Sequence, residues 1–156
     1  INRLIIVYLN FIPIFSFLNK LIMILNNSQI KLRAVEPEDL DILYKWENST
    51  ALWIHGNTLA PYSKLVLRQY INDTIEMDIF QSKQLRLMIC LTDNDTTIGT
   101  VDLYDIDAYH RRAGIGILID EAHRQKQYAT QALELMADYA FNCIYICQQH
   151  KEYKLI

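Results

Sequence analysis

From Gln29 to Val35, apolar Ile30, Leu32 and Ala34 alternate with polar neighbours, the period of a strand with one buried face. "EPEDLDILYKWEN" follows directly and changes period: Pro37 suits a first helical turn, Glu38 and Asp39 favour the positive end of the helix dipole, and Leu40, Leu43 and Trp46 mark one helical face. After the loop "GNTLAPYS", Ser63 is a good N-cap for a second helix with Leu67, Tyr70, Ile71 and Thr74 on one side. "LRLMICL" puts Leu85, Leu87, Ile89 and Leu91 on a common face, and "TDNDT" supplies turn chemistry before "TIGTVDLY", which predicts a hairpin. Arg111 to Ile119 reads as another strand, in which Ala113, Ile115, Ile117 and Ile119 alternate with Gly114, Gly116 and Leu118; glycines weaken a strand unless something must approach its backbone closely. Ala129, Ala132, Leu133, Met136, Ala137, Ala140 and Phe141 then recur at helical spacing, and "CIYIC" is the candidate for one more strand. This order predicts an α+β (mixed α/β) domain with a largely antiparallel sheet flanked by helices.

The first 25 residues break this pattern. Leu4 to Asn19 is uncharged and apolar, but Asn10, Pro13 and Ser16 interrupt it and Lys20 ends it, short of the roughly 20 apolar residues a spanning helix needs. No small-residue cleavage site follows, so a signal peptide is poorly supported. We read residues 1–22 as an extension outside the domain and 23–156 as the domain, with a membrane anchor or an added packing helix as the competing readings.

At 156 residues, 51% hydrophobic and 21% charged, the chain has the size and balance of one globular domain. A net charge of −3 with scattered basic residues argues against nucleic acid as a partner, because phosphate recognition needs a clustered basic surface. The three cysteines are Cys90, Cys143 and Cys147; no second Cys/His pair accompanies the last two at zinc-site spacing, so free thiols in a reducing, cytoplasmic setting are the expectation and no metal is assigned.

The stretch "HRQKQYATQALELMADYAF" combines two features. A strand ending at Ile119 and Asp120 runs through a basic lead-in to the start of a long helix, where several amide N–H groups have no intrahelical acceptor. Such a start, with Arg124 and Lys126 beside it, suits a pyrophosphate. A water-capped basic surface loop is the equal alternative on this segment alone.

Taken together, "IKLRAVEPEDLDILYKWEN", "IGTVDLYDIDAYHRRAGIGILI" and this stretch resemble the GNAT superfamily of acyl-CoA-dependent N-acyltransferases, in particular the branch with the spermidine/diamine and ribosomal-protein acetyltransferases. The order and spacing hold over some 110 residues. The family's pyrophosphate loop, Gln/Arg-x-x-Gly-x-Gly/Ala, lies on Arg124, Gln125, Lys126, Gln127, Tyr128 and Ala129, with Gln127 in the glycine slot. What the resemblance implies is acetyl transfer from acetyl-CoA, the cosubstrate, to a primary amine. Backbone groups of Ile117, Leu118 and Ile119 would pair with the pantetheine arm, and amides of Arg124 to Ala129 would hold the pyrophosphate. Gln127 keeps its N–H but brings a Cβ toward phosphate, at a cost of roughly 1 kcal/mol if the position needs positive φ.

Direct transfer needs the amine deprotonated, the oxyanion stabilised and the thiolate protonated. Asp102, Tyr104 and His110 are the catalytic candidates, with Asp105, Glu121 and His123 nearby; surface or helix-end charge is the plain alternative for each. Acids at Glu36, Glu38, Asp39, Asp41 and Glu47 slightly favour a polyamine or diamine acceptor over a protein N-terminus, with Trp46, Trp53 and Tyr62 as candidate pocket aromatics. The resemblance also implies a further helix and strands, the helix bearing the family's usual tyrosine acid. "NCIYICQQHKEYKLI" does not match them, so the domain is expected to lack these last elements, to expose apolar surface and to invite a homo-oligomer. A non-catalytic acyl-CoA-binding or interaction module is the alternative function.

Overall fold

The computed structural model describes residues 25–53, 60–144 and 148–150. The extension at 1–22 and Cys147 lie outside them. The elements are β1 (Ile30–Ala34), α1 (Leu40–Glu47), α2 (Thr50–Trp53), α3 (Lys64–Glu76), α4 (Ile79–Ser82), β2 (Leu85–Leu91), β3 (Thr97–Asp107), β4 (Arg112–Ile119), α5 (Tyr128–Asn142) and β5 (Gln148–His150). Strands β1 to β5 lie in sequence order in one sheet, antiparallel except for the last pair, as the α+β reading anticipates. The final strand lies beyond Cys143 and Ile144, which are turn and bend, so it starts later than the "CIYIC" run suggests.

Both faces of the sheet are covered. Ile30, Leu32, Leu87, Ile89, Val101, Leu103, Ala113, Ile115, Ile117 and Ile119 pack with Ala132, Met136 and Ala140 of α5. The opposite face contributes Val35, Met88 and Cys90 to a second cluster with Leu43, Trp46 and Ile71 of α1 and α3. Strand β2 is therefore more buried than period-two alternation implies, because its second face carries Met88 and Cys90 under helices, whereas β1 keeps the alternation. Helix α5 buries a narrower stripe than its apolar pattern: Ala132, Met136 and Ala140 are fully buried whereas Phe141 is exposed, one position past the stripe.

Two extra residues shape the hairpins. The β2–β3 register shifts between Ile89 and Cys90, and the β3–β4 register shifts between Tyr104 and Asp107, where Asp105 takes φ 51°. Each is a bulge that bends its strand. Helix α3 starts where expected, with Ser63 Oγ accepting from Val66 N at 3.2 Å. Helix α4 was not legible as a separate element; Asp78 caps it by accepting from Phe80 N and Gln81 N.

The entry to α1 is fixed by an ion pair. Arg33 on β1 donates to both oxygens of Asp39 at 2.7 Å each and to Thr97 Oγ1 at 3.0 Å, while Asp39 also accepts from Glu36 N at 2.9 Å. Asp39 is thus less a dipole charge than a clamp between helix and sheet. Burial opposes its ionisation, but the bonds from Arg33 and Glu36 N win, and its carboxyl lies below the usual value. A lowered carboxyl pKa contributes stability that is fully present above the unfolded-state value near 3.8 and is lost as pH falls through the folded-state value. Asp39→Asn is expected to cost about 2–3 kcal/mol at pH 7, discounted for the partial exposure of Arg33, and the deficit relative to the parent should shrink below pH 4. Urea titrations of both proteins at pH 7 and pH 3.5 measure this; an equal deficit at both values would contradict the clamp.

Candidate functional site

Strand β4 ends at Ile119, and Asp120 carries the chain into a loop. Asp120 N still donates to Ile98 O at 2.8 Å, and His123 N returns to Asp120 O at 2.9 Å, forming a short 3-10 turn over Glu121–His123. The next residues alternate in hand: Gln125 has φ 61° and Gln127 has φ 63°, both left-handed, before α5 begins at Tyr128. The first bond of α5 runs from Gln131 N to Gln127 O at 3.2 Å, so the preceding amides of the first turn have no acceptor within the helix. Gln127 offers no side-chain cap. The left-handed conformation that makes a glycine useful is therefore adopted here by two glutamines, each at a cost of roughly 1 kcal/mol.

A cavity of about 260 Å³ opens over this loop, lined by Ile117, Ile119, His123, Arg124, Gln125, Gln127, Tyr128 and Ala129. A second, of about 690 Å³, lies on the other side of the β4 end, between α1 and the loop, and includes Lys45, Trp46, Ser49, Leu118, Asp120 and Glu121. Ile119 and Arg124 line both. Arg124 Nε donates to Ile119 O at 3.2 Å, which places the guanidinium group against the last carbonyl of β4. Among the described residues, β4 meets β5 only at Arg112 to Gly114. All of the expected cofactor-side residues except Leu118 and Lys126 line the smaller cavity, and Leu118 faces the larger one. His123 Nδ1 is buried there without a partner among the described residues, a feature that its loop position did not suggest.

The candidate catalytic side chains separate into two places. Asp102 and Tyr104 stand on the α1/α3 face of β3, paired in register with Gly116 and Gly114 of β4. Gly114 is explained, since a Cβ there would collide with the Tyr104 ring; one on Gly116 would lie 3.6 Å from the ring, an ordinary contact, so the ring does not require that glycine. Asp102 is engaged by Arg86, whose Nε and Nη2 donate to its two oxygens at 2.6 and 3.2 Å, while Arg86 Nη1 reaches Glu47 Oε1 at 2.7 Å. Burial opposes the Arg86 charge, but Asp102 and Glu47 outweigh it and hold the guanidinium firmly protonated. His110 is elsewhere, exposed on the β3–β4 turn with Nδ1 2.7 Å from Asp107 Oδ2. The backbone N–H of His110 and then its ring pull the Asp107 carboxyl down to about 2. Strand β4 separates that turn from the loop at Gln127 by roughly 20 Å or more, from its rise per residue, so the structure does not bring His110 to the cavities.

The acids of α1 and its approach are also largely spoken for: Asp39 by Arg33, Asp41 by Lys64 at 2.7 Å and Glu47 by Arg86. Glu36 and Glu38 make no ion pair among the described residues. Of the three aromatics considered for a pocket, Trp46 lines the larger cavity, whereas Trp53 is turned to Glu47 O at 2.8 Å and Tyr62 is half-exposed. Among the described residues, no group of three or more His, Cys, Asp or Glu converges as a metal site would require, and no helix is long and apolar enough to cross a membrane.

A strand ending in a loop with left-handed residues, with a long helix behind it, agrees with what a family comparison finds: residues 29–150 match the acetyltransferase (GNAT) domain model. The chain belongs to the GNAT acetyltransferase family. It is 29% identical over 119 residues to a spermidine N(1)-acetyltransferase of Escherichia coli, covering 74% of this chain and 59% of that protein, so it spans about three fifths of this relative's length. Among solved structures, a spermidine N-acetyltransferase from Vibrio cholerae in complex with CoA and spermine is similar, with a TM-score of 0.67 and 27% identity over 77% of this chain and 68% of that one. A dodecameric form of the Vibrio cholerae enzyme gives a TM-score of 0.62 at 27% identity, with 77% and 67% covered.

The Tyr104 contact makes a stability prediction for this GNAT domain. Gly114→Ala should cost about 1–3 kcal/mol by overpacking against the ring, and Tyr104→Ala should relieve most of that penalty in the double variant. Thermal or urea unfolding of the four proteins measures it; additive losses would show that the ring is not what requires glycine.

Proposed function

We propose that the chain is an N-acetyltransferase that moves an acetyl group from acetyl-CoA to a primary amine, with polyamines as the favoured acceptor class. The observation that carries this reading is the pair of left-handed residues, Gln125 and Gln127, ahead of the unpaired first-turn amides of α5. That is a backbone cradle for a pyrophosphate, and the cavity beside it joins the loop to Ile117 and Ile119 of β4. The residues present fit the cosubstrate: every loop position keeps its N–H, Arg124 and Lys126 add positive charge, and the cavity wall along β4 is apolar, as a pantetheine arm requires.

In the transfer, the acceptor nitrogen attacks the thioester carbonyl, and backbone N–H groups of β4, a pantetheine length back from the loop, would stabilise the oxyanion. The C–S bond then breaks, and the thiolate takes up the proton that the amine nitrogen gives up. On the acceptor side, Tyr104 and Asp102 are the candidates beside Gly116. With both Asp102 oxygens held by Arg86, the role that suits Asp102 is orientation and charge, and Tyr104 is the better candidate for handling the amine proton. His110, held by Asp107 on the β3–β4 turn, is the third candidate, farther along the same strand pair.

For the acceptor, the names of the spermidine acetyltransferase relatives support a polyamine. The α1 acids add less than their number suggests, since Asp39 and Glu47 are paired within the fold and Asp41 pairs with Lys64 at the surface. A homo-oligomer is proposed with the same warrant, from the dodecameric relative. A non-catalytic acyl-CoA-binding module remains the second reading, favoured by the two glutamines where backbone must approach phosphate.

Calorimetric titration of acetyl-CoA into the full chain, with acetyl-pantetheine as the control lacking pyrophosphate, tests the proposal. Micromolar binding that requires the pyrophosphate is expected, followed by acetylation of spermidine or a diamine in an amine panel. Binding without turnover on any amine would select the second reading, and no binding would refute both. Gln127→Gly should raise acetyl-CoA affinity about fivefold, equivalent to roughly 1 kcal/mol, by clearing the Cβ from the phosphate approach. Unchanged affinity with a raised melting temperature would mean that Gln127 costs only backbone strain.

A further inference from the structure

The structure assigns Trp46 and Asp120 a positioning role: the hydrogen bond between them sets the loop from Glu121 to Gln127 against helix α1 and thereby tunes its affinity for the acyl-CoA pyrophosphate. This rests on the acetyl-CoA reading above and adds residues to it that the family motif does not contain.

Asp120 is where the sheet hands over to the loop. Its amide donates to Ile98 O at 2.8 Å, its carbonyl accepts from His123 N at 2.9 Å, and its Oδ1 accepts from Ala122 N at 3.2 Å. These bonds fix the loop's start along β4. The remaining oxygen points away from both, and Oδ2 accepts from Trp46 Nε1 at 2.9 Å. Lys45 Nζ is also 3.4 Å from Oδ2, but at 72% exposure it adds little.

The indole is a stiff donor. Trp46 is 4% exposed and packs in the cluster with Val35, Leu43, Ile71, Met88 and Cys90, so the direction of its N–H is set by the core. A buried indole N–H without an acceptor is costly, which makes the bond obligatory in the folded chain. The adjacent Glu47 is tied through Arg86 to Asp102. The end of α1 is thus fastened at consecutive residues to the loop origin and to the acceptor-side face. The larger cavity lies between these parts. Downstream, Gln125 and Gln127 occupy strained backbone conformations that persist only where the surroundings hold them. Without the Trp46 bond the loop keeps its tether to β3 and loses its lateral anchor.

The test is a cycle on the full chain: Trp46→Phe, which deletes the donor and keeps a ring, Asp120→Asn, which turns the carboxylate into an amide, and the double variant. Each single change should raise the acetyl-CoA dissociation constant about tenfold, and the double should be no weaker than the worse single, because one bond is lost once. Unchanged affinity, or a double variant about a hundredfold weaker as independent losses would give, overturns the role. Amide hydrogen exchange of the ligand-free proteins separates positioning from general stability. Protection at Ala122 and His123 should fall about tenfold while amides of β2 and β3 keep theirs, the fall expected for one lost bond of a charged acceptor. A uniform fall, or none, overturns the proposal. If the parent chain does not bind acetyl-CoA, the acetyl-CoA reading fails, and the exchange measurement still decides whether Trp46 positions the loop.

Discussion

Strand β4 is buried on both faces, and the rest of the domain is arranged by what each face demands. Toward α5 it presents Ala113, Ile115, Ile117 and Ile119, a continuous branched aliphatic row that needs an apolar helix over it. Toward α1 and α3 it presents Gly114, Gly116 and Leu118, a shallow row filled by the Tyr104 ring and by the second apolar cluster. Each fully buried aliphatic side chain contributes about 1.5–3 kcal/mol, so neither cover is dispensable. At the strand's end two cavities share Ile119 and Arg124.

The face toward α1 is held by charge as well as by packing. Arg33 with Asp39 fixes the start of α1 to β1, and Arg86 with Glu47 and Asp102 fixes its end to β2 and β3. Buried pairs of this kind repay their desolvation only when nearly every donor is used. Arg86 spends three nitrogens on two carboxylates and lies 5.3 Å from the centroid of the Tyr70 ring. The consequence is that Asp39, Glu47 and Asp102 are already neutralised within the fold.

How much of this was legible in the sequence follows from which interactions are local. Strand and helix periods are local, so β1 to β4, α1, α3 and α5 were readable from Ile30, Leu67 or Met136 and their spacing. The loop ahead of α5 was readable because the slots from Arg124 to Ala129 are consecutive, and so was the possibility of positive φ at Gln127. Pairing across the fold was not readable. Nothing near Asp102 announces Arg86, 16 residues away in sequence, and nothing near Asp120 announces Trp46, 74 residues away. The glycines at 114 and 116 raised the right question, but the answer for Gly114, the Tyr104 ring, required the β3–β4 register. The partner of His110, Asp107 three residues before it, is local, but the distance of that turn from the loop at Gln127 required the fold.

The backbone of the domain carries a further regularity. Six described residues other than glycine, Lys83, Asp95, Asp105, Arg111, Gln125 and Gln127, adopt positive φ, and no described glycine does. At turns and bulges, where Asp95, Asp105 and Arg111 stand, the surrounding ladder enforces the conformation and the strain has little further effect. In the loop before α5 the same conformation is adopted twice within three residues and is enforced from outside, by Asp120 at one end and the first turn of the helix at the other. Glycine there would make the cradle easy to form and also easy to lose, since it visits many other conformations. Glutamine makes it harder to form and restricts the alternatives once formed. The sequence departure at Gln127 is therefore compatible with a working anion loop provided that its supports are intact, and the weight of the site shifts from the loop's own residues to the contacts that hold its ends.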